Sequence, residues 1–303
     1  MALVLVTGAD GQLGSELRDL AAAGREGVTC VAAGGSGADE YIFTDAGELD
    51  VTDADAVWTH MDRNGAEVLV NCAAYTAVDR AEDEPEKADL LNREAVAGMA
   101  EVCAELDATM IHISTDFVFD GRSGRPYTEE DAAESQSVYG ATKLAGERAI
   151  IESDCKHLIL RTSWLYSAYG NNFVKTILRL SGERDSLRVV DDQSGTPTYA
   201  AGLAARIRQI IADRAYVGRD GLYHYSDAGE CTWYDFAREI VRLSGNRCLI
   251  EPCTTAEYGA KAVRPAYSVL DKGKFLDTFG GTLTPWEENL VRCVKALNNN
   301  KYP

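Results

Sequence analysis

The chain has 303 residues, 46% hydrophobic and 26% charged, with a formal net charge of −18. That length allows one large or two closely packed domains of an ordinary soluble globular protein. A chain this acidic repels phosphate backbones, so no nucleic-acid partner is expected, and no apolar run is long enough to span a membrane.

The opening segment MALVLVTGAD lacks the basic start and long apolar stretch of a signal peptide. LVLVT (Leu3–Thr7) reads as a first strand, and a glycine-punctuated helix start follows it. VTCVAA (Val28–Ala33) reads as the second strand, DADAVWTHMDR as a helix and EVLVNCA (Glu67–Ala73) as the third strand. A long helix, PEKADLLNREAVAGMAEVCAEL, precedes the strand TMIHIST (Thr109–Thr115). The helix carrying Tyr139 precedes HLILRTS (His157–Ser163). Continuous apolar strands separated by helices predict an α/β fold, a doubly wound Rossmann-type parallel sheet covered on both faces.

Beyond Ser163 the pattern is mixed. NNFVKTILRL reads as a helix, SLRVVDD as a strand, YAAGLAARIRQIIADR as a helix and GLYHYS as a strand. Helices near WYDFAREIVRLSG and WEENLVRCVKAL close the chain. A smaller, interleaved C-terminal substrate-binding region is expected. The dinucleotide-binding domain is placed at 1–163 plus about 198–226, the second region at about 164–197 plus 227–303. The eight cysteines are scattered without CxxC pairs, which favours reduced thiols in a cytoplasmic protein. The four histidines show no metal-ligand spacing.

TGADGQLG puts Gly8, Gly11 and Gly14 between the first strand and first helix. Glycines there let a pyrophosphate approach backbone amides at a helix N-terminus. The spacing is GxxGxxG, and its position after the first strand favours dinucleotide binding over a bare turn. Gly8, Asp10, Gly11, Gln12 and Leu13 are therefore expected at the cofactor. Asp50 and Val51 of ELDVTD either line the adenine pocket or belong, with Asp53, to the start of the next helix. No acid directly follows Ala33 and no arginine is placed for a 2′-phosphate, so NADPH and NADH both stay open.

Thr115 ends a strand, where such sheets bind ligands. Tyr139 and Lys143, spaced i, i+4, share a helix face. Reducing a ketone needs a hydride and a proton. An ammonium beside a phenol lowers its pKa from ~10 toward the working range. A hydroxyl such as Thr115 can orient the carbonyl. A packed tyrosine and a solvated lysine is the plain alternative, outweighed here by the glycine turn and the strand-end threonine.

This constellation resembles the extended short-chain dehydrogenase/reductases. With NCAAYTAVDRAEDEPE, STDFVFDG, YGATKLAGE, RTSWLY, DDQSGTPT and RPAYSVLD it resembles the dTDP-4-dehydrorhamnose reductase family, from residue 3 to about 271. The resemblance implies reduction of the 4-keto group of a deoxysugar nucleotide to dTDP-L-rhamnose with NADPH or NADH. It implies Thr115, Tyr139 and Lys143 as the catalytic trio, with Tyr139 and Lys143 also at the cofactor. Ala73, Ala74, Tyr75 and Asn92 are expected along the cofactor. Thr76, Val78, Thr115, Asp116, Trp164, Asn172, Gln193 and Arg264 are expected toward the substrate. Trp164 would face the sugar or, at equal weight, pack as a core residue; Arg264 would clamp the diphosphate.

Some family members place magnesium between subunits with acids on the first helix and after the DQ-G-PT segment. Glu16 matches the first, but Thr198–Ala204 supplies none. No metal is therefore expected, and a homodimer is left open. Related 4,6-dehydratases carry an Asp-Glu pair after the catalytic threonine, whereas here Asp116 is followed by Phe117. Epimerases share the trio and are opposed by the motif resemblance alone. A non-catalytic module such as the methionine adenosyltransferase regulatory subunit remains the alternative of another class.

Overall fold

The structure, a computed structural model, describes residues 2–25 and 39–298. The chain runs β1 (Leu3–Thr7), α1 (Gln12–Arg25), β2 (Glu40–Thr44), α2 (Ala54–Asn64), β3 (Val68–Asn71), α3 (Val78–Ala81) and α4 (Pro85–Asp89). A π-helical turn (Leu90–Glu94) leads to α5 (Ala95–Glu105), β4 (Thr109–Thr115), α6 (Val138–Glu152), β5 (Lys156–Thr162) and β6 (Leu165–Tyr166). Then come α7 (Phe173–Glu183), β7 (Ser186–Val190), β8 (Ser194–Gly195), β9 (Thr198–Tyr199), α8 (Ala200–Ala212) and β10 (Gly221–His224). β11 (Cys231–Thr232), α9 (Trp233–Ser244), β12 (Leu249–Cys253), α10 (Thr255–Tyr258), α11 (Gly273–Phe279) and α12 (Trp286–Asn298) complete it.

The main sheet has the order β10-β5-β4-β3-β1-β2, and its neighbours pair in parallel. Alternate side chains serve opposite faces. Val4 and Val6 enter one core with Leu13, Leu17 and the apolar stripe of α8, including Leu203 and Ile207. Leu5 enters the other with Met61 of α2 and Val96 and Met99 of α5. Burial on both faces explains why these strands read as continuous apolar runs. Strand order reverses about β1, so the crevice at the carboxyl ends of β1 and β3 is the topological switch point where such sheets bind ligands.

The expected strand Val28–Ala33 lies outside the described residues; the strand beside β1 is Glu40–Thr44. The expected long helix from Pro85 is broken by the π turn, which carries the buried Asn92. The mixed C-terminal pattern builds a further core from α7, β7, α9, β12 and α12, with Phe236, Ile240 and Leu290 fully buried. Its strand β7 pairs in parallel with β12, a strand the sequence pattern did not reveal.

Candidate active site

The glycine turn is sterically dictated. Gly8 has φ +64°, and a Cβ there would lie 2.6 Å from the Ala73 backbone nitrogen. A Cβ at Gly14 would lie 2.5 Å from the Gly8 carbonyl oxygen, so α1 packs directly on the turn. Gly11 closes the loop by donating its N–H to Gly8 O. α1 has no acid in its first turn, so its N-terminal N–H groups and partial positive charge are not offset locally.

Other expected cofactor residues separate by environment. Leu13 is buried in the sheet core. Gln12 Oε1 accepts from Asn172 Nδ2 at 3.0 Å, joining the turn to the start of α7. Asp10 is exposed, accepts from Arg18, and donates its backbone N–H to Asp45 Oδ2 at 3.0 Å. Asp45, which directly follows β2, was not singled out from sequence because the second strand was placed earlier. The apolar triplet Tyr41-Ile42-Phe43 ahead of it is the signal that could have found it. Asp50 is exposed and accepts from Thr52, which holds its carboxyl below the usual range. Asp53 caps α2 by accepting from Ala56 N, and Val51 packs against the α2–α5 core.

The segment after β3 is held from below. Asn92 is fully buried; its Oδ1 accepts from Tyr75 N at 2.9 Å, and its Nδ2 donates to Tyr75 O and Thr142 Oγ1. Its polar atoms are spent within the protein, so Asn92 acts by fixing Ala73–Tyr75 against α6. The π turn aims it there, as π bulges at functional positions often do. Ala73 and Ala74 stay partly open, while Tyr75 Oη donates to Glu84 at 2.7 Å. Thr76 is exposed and Val78 half-buried at the start of α3.

Thr115 and Tyr139 meet. Ser137 caps α6 by accepting from Gly140 N, which starts the helix one residue before Tyr139. The Thr115 side chain lies close enough to the Tyr139 phenol to favour its ionised form, and the Tyr139 ring packs edge-on to Phe117 with centroids 5.6 Å apart. Lys143 Nζ turns inward, donating to the Ile113 carbonyl at 2.7 Å and lying 3.1 Å from His112 Nε2. Burial pulls its pKa down to about 8, against the opposing fields of Glu147 and Cys72. Tyr139 does not follow the sequence expectation of a lowered pKa. Burial pushes it up to about 12, the Thr115 side chain offsets this in part, and the nearby Asp116 adds to it. The phenol therefore keeps its proton at rest, the form an acid needs.

Asp116 is buried beside the trio. Burial raises its carboxyl to about 6, with Ser268 and Thr115 opposing. One α6 turn past Lys143, Glu147 pairs with Arg161 at 2.6 Å and accepts from Ser114. Both members are nearly inaccessible, at 2% and 4% exposure. This pair, His112 and Asp45 are the residues sequence reasoning passed over.

The expected substrate residues lie on several elements. Trp164, two residues past the Thr162 that stands in register with Thr115, has φ +47°. A bulky residue in that region signals a constrained position. Its ring stacks on Trp233 at 3.6 Å and packs on Gly195, where a Cβ would come within 2.6 Å. Asn172 caps α7 by accepting from Lys175 N. Gln193 is buried and donates to Thr255 at 2.9 Å. Arg264 forms a bidentate pair with Asp79, at 2.7 and 3.0 Å, so a phosphate would have to displace that carboxylate. Glu16 is buried and accepts from Ser167 at 2.6 Å; a single inward-facing carboxylate does not fit an intersubunit magnesium site.

The family model described as the RmlD substrate binding domain matches residues 1–299. The chain belongs to this family. A dTDP-4-dehydrorhamnose reductase of Streptomyces griseus is 40% identical over 297 residues, covering 97% of this chain and 93% of the relative. The crystal structure of a dTDP-4-dehydrorhamnose reductase from Clostridium acetobutylicum has a TM-score of 0.87 at 39% identity, covering 98% and 99% of the two chains. That of Bacillus anthracis, in complex with NADP, has a TM-score of 0.86 at 34% identity, covering 98% and 100%. Among the described residues, no helix is long and apolar enough to cross a membrane.

Proposed function

We propose that this protein is an NAD(P)H-dependent reductase that converts the 4-keto group of dTDP-4-dehydro-6-deoxy-L-mannose to the alcohol, giving dTDP-L-rhamnose. The observation that carries the reading is the Tyr139 phenol beside Thr115, one helical turn before Lys143, at the carboxyl end of the sheet that also holds the glycine turn. The relatives named as dTDP-4-dehydrorhamnose reductases support the sugar nucleotide, and the Bacillus anthracis complex supports a nicotinamide cofactor.

Gly8, Gly11, the N-terminus of α1 and the Ala73–Tyr75 segment would hold the dinucleotide. Bound there, the reduced nicotinamide supplies a hydride to the ketone carbon. Thr115 would orient the ketone oxygen. As the C=O electron pair moves onto that oxygen, the Tyr139 O–H bond breaks and its proton passes to the forming alkoxide, a stronger base than phenolate. Tyr139 then regains a proton from solvent. The residue limits given above for the two regions, a cytoplasmic location and a homodimer belong to the same proposal.

A steady fall in NADPH absorbance with this substrate, and rhamnose nucleotide as product, is the expected result. A flat trace with cofactor bound would refute the reading in favour of a binding module. Asp45 follows β2, where an acid can take the ribose hydroxyls of NADH and oppose a 2′-phosphate. Asp45→Asn is expected to move the ratio of kcat/KM several-fold toward NADPH, measured with both cofactors.

A further inference from the structure

Asn71, His112 and Lys143 form a hydrogen-bonded chain whose polarity follows from one fixed point. The Ala73 backbone N–H donates to Asn71 Oδ1 at 3.0 Å, and a backbone N–H has no alternative role. Thr7 Oγ1 donates to the same oxygen at 2.8 Å. This orients the amide, leaving Asn71 Nδ2, which can only donate, 3.1 Å from His112 Nδ1. Nδ1 is therefore the acceptor. His112 is fully buried, and burial together with the Lys143 charge keeps its pKa well below the ordinary value, so the ring is neutral. Its single proton then sits on Nε2, facing Lys143 Nζ at 3.1 Å. Nζ also donates to the Ile113 carbonyl. The contact is favourable when Lys143 offers a lone pair.

We propose that His112 is a positioning residue for the reductase, whose Nε2–H favours the neutral amine over the ammonium at Lys143 and so sets the pH at which that lysine gives up its charge. The proposal rests on the catalytic reading of Tyr139 and Lys143 above. The surroundings support it from each element packed on Lys143. On its own helix, Glu147 favours the ammonium but is neutralised by Arg161. At the end of β3, burial pushes the Cys72 thiol up to about 12, so it stays uncharged. The π turn presents the neutral Asn92, bonded to Thr142 of α6. Past β4, Asp116 has its carboxyl raised to about 6 and faces Tyr139. A lysine poised near neutrality can lose and regain a proton in each cycle, which a permanently charged one cannot.

Two measurements test this. Nitrogen-15 NMR of histidine-labelled resting protein reads the tautomer directly, with His112→Gln identifying the signal among the four histidines. A neutral ring protonated on Nε2 is expected; protonation on Nδ1 overturns the proposal, whether or not the protein turns over substrate. The second is the pH dependence of kcat/KM for NADPH oxidation. His112→Leu removes the donor and is expected to raise the alkaline limb by roughly one pH unit, the worth of one hydrogen bond. His112→Gln restores an N–H at that position and is expected to return the limb to the wild-type pH. An unshifted limb in folded His112→Leu overturns the proposal, and if that variant does not fold the wild-type tautomer decides. Wild type that fails to oxidise NADPH would instead sink the functional reading.

Discussion

Helix α6 carries two buried charges one turn apart, and the protein treats them oppositely. Glu147 meets the guanidinium of Arg161 and the hydroxyl of Ser114, so its charge is compensated where it stands. Lys143 meets a carbonyl oxygen and a neutral imidazole, so burial pulls its pKa down to about 8. A buried charge with a counter-charge is fixed and structural, whereas one with neutral partners is left able to titrate near physiological pH.

The comparison can be broken most sharply at the titrating end. Tyr139→Phe is expected to lower kcat by ~10²–10⁴-fold while cofactor affinity, read by fluorescence titration, holds. Near-normal turnover would remove the phenol from the mechanism. At the compensated end, Glu147→Gln leaves the buried Arg161 without a counter-charge and is expected to cost about 3–5 kcal/mol in urea unfolding. A wild-type midpoint would show that the pair is not structural.

Between the two charges lies Gly146, where a Cβ would come 2.2 Å from the Asn92 carbonyl oxygen on the π turn. Gly146→Ala is expected to cost about 1–3 kcal/mol and to lower kcat as well, because α6 must move with Lys143 on it. Stability lost with kcat intact would uncouple the contact from the site.

Asp227 sharpens the rule away from the active site. Buried and accepting from Tyr199 N, it has its carboxyl pushed up to about 7, mainly by burial, with Asn289 opposing. A raised carboxyl favours the folded state at low pH, and that contribution is lost as pH rises from about 4 to 7. Asp227→Asn is therefore expected to match wild type near pH 5 and to gain on the order of 1–2 kcal/mol at pH 8. Equal melting temperatures across that range would count against it.

Much of this was legible in the sequence, and particular residues show where legibility stopped. Continuous apolar runs exposed the parallel sheet because strands covered on both faces carry no polar alternation. The glycine spacing was readable because Gly8 and Gly14 have no room for a Cβ. Tyr139 and Lys143 were readable because i, i+4 spacing survives in any helix. The π turn left no mark on the apolar periodicity that announced one long helix.

Local pattern by itself determined the fold class, the glycine turn after the first strand and the shared helix face of Tyr139 and Lys143, because backbone sterics and helical periodicity act over a few residues. The tertiary structure alone decided their electrical state. Asn71, His112 and Lys143 come from β3, β4 and α6, and Glu147 reaches Arg161 on β5. Whether a buried group meets a counter-charge, a carbonyl or an imidazole depends on neighbours distant in the chain, and those neighbours set its pKa.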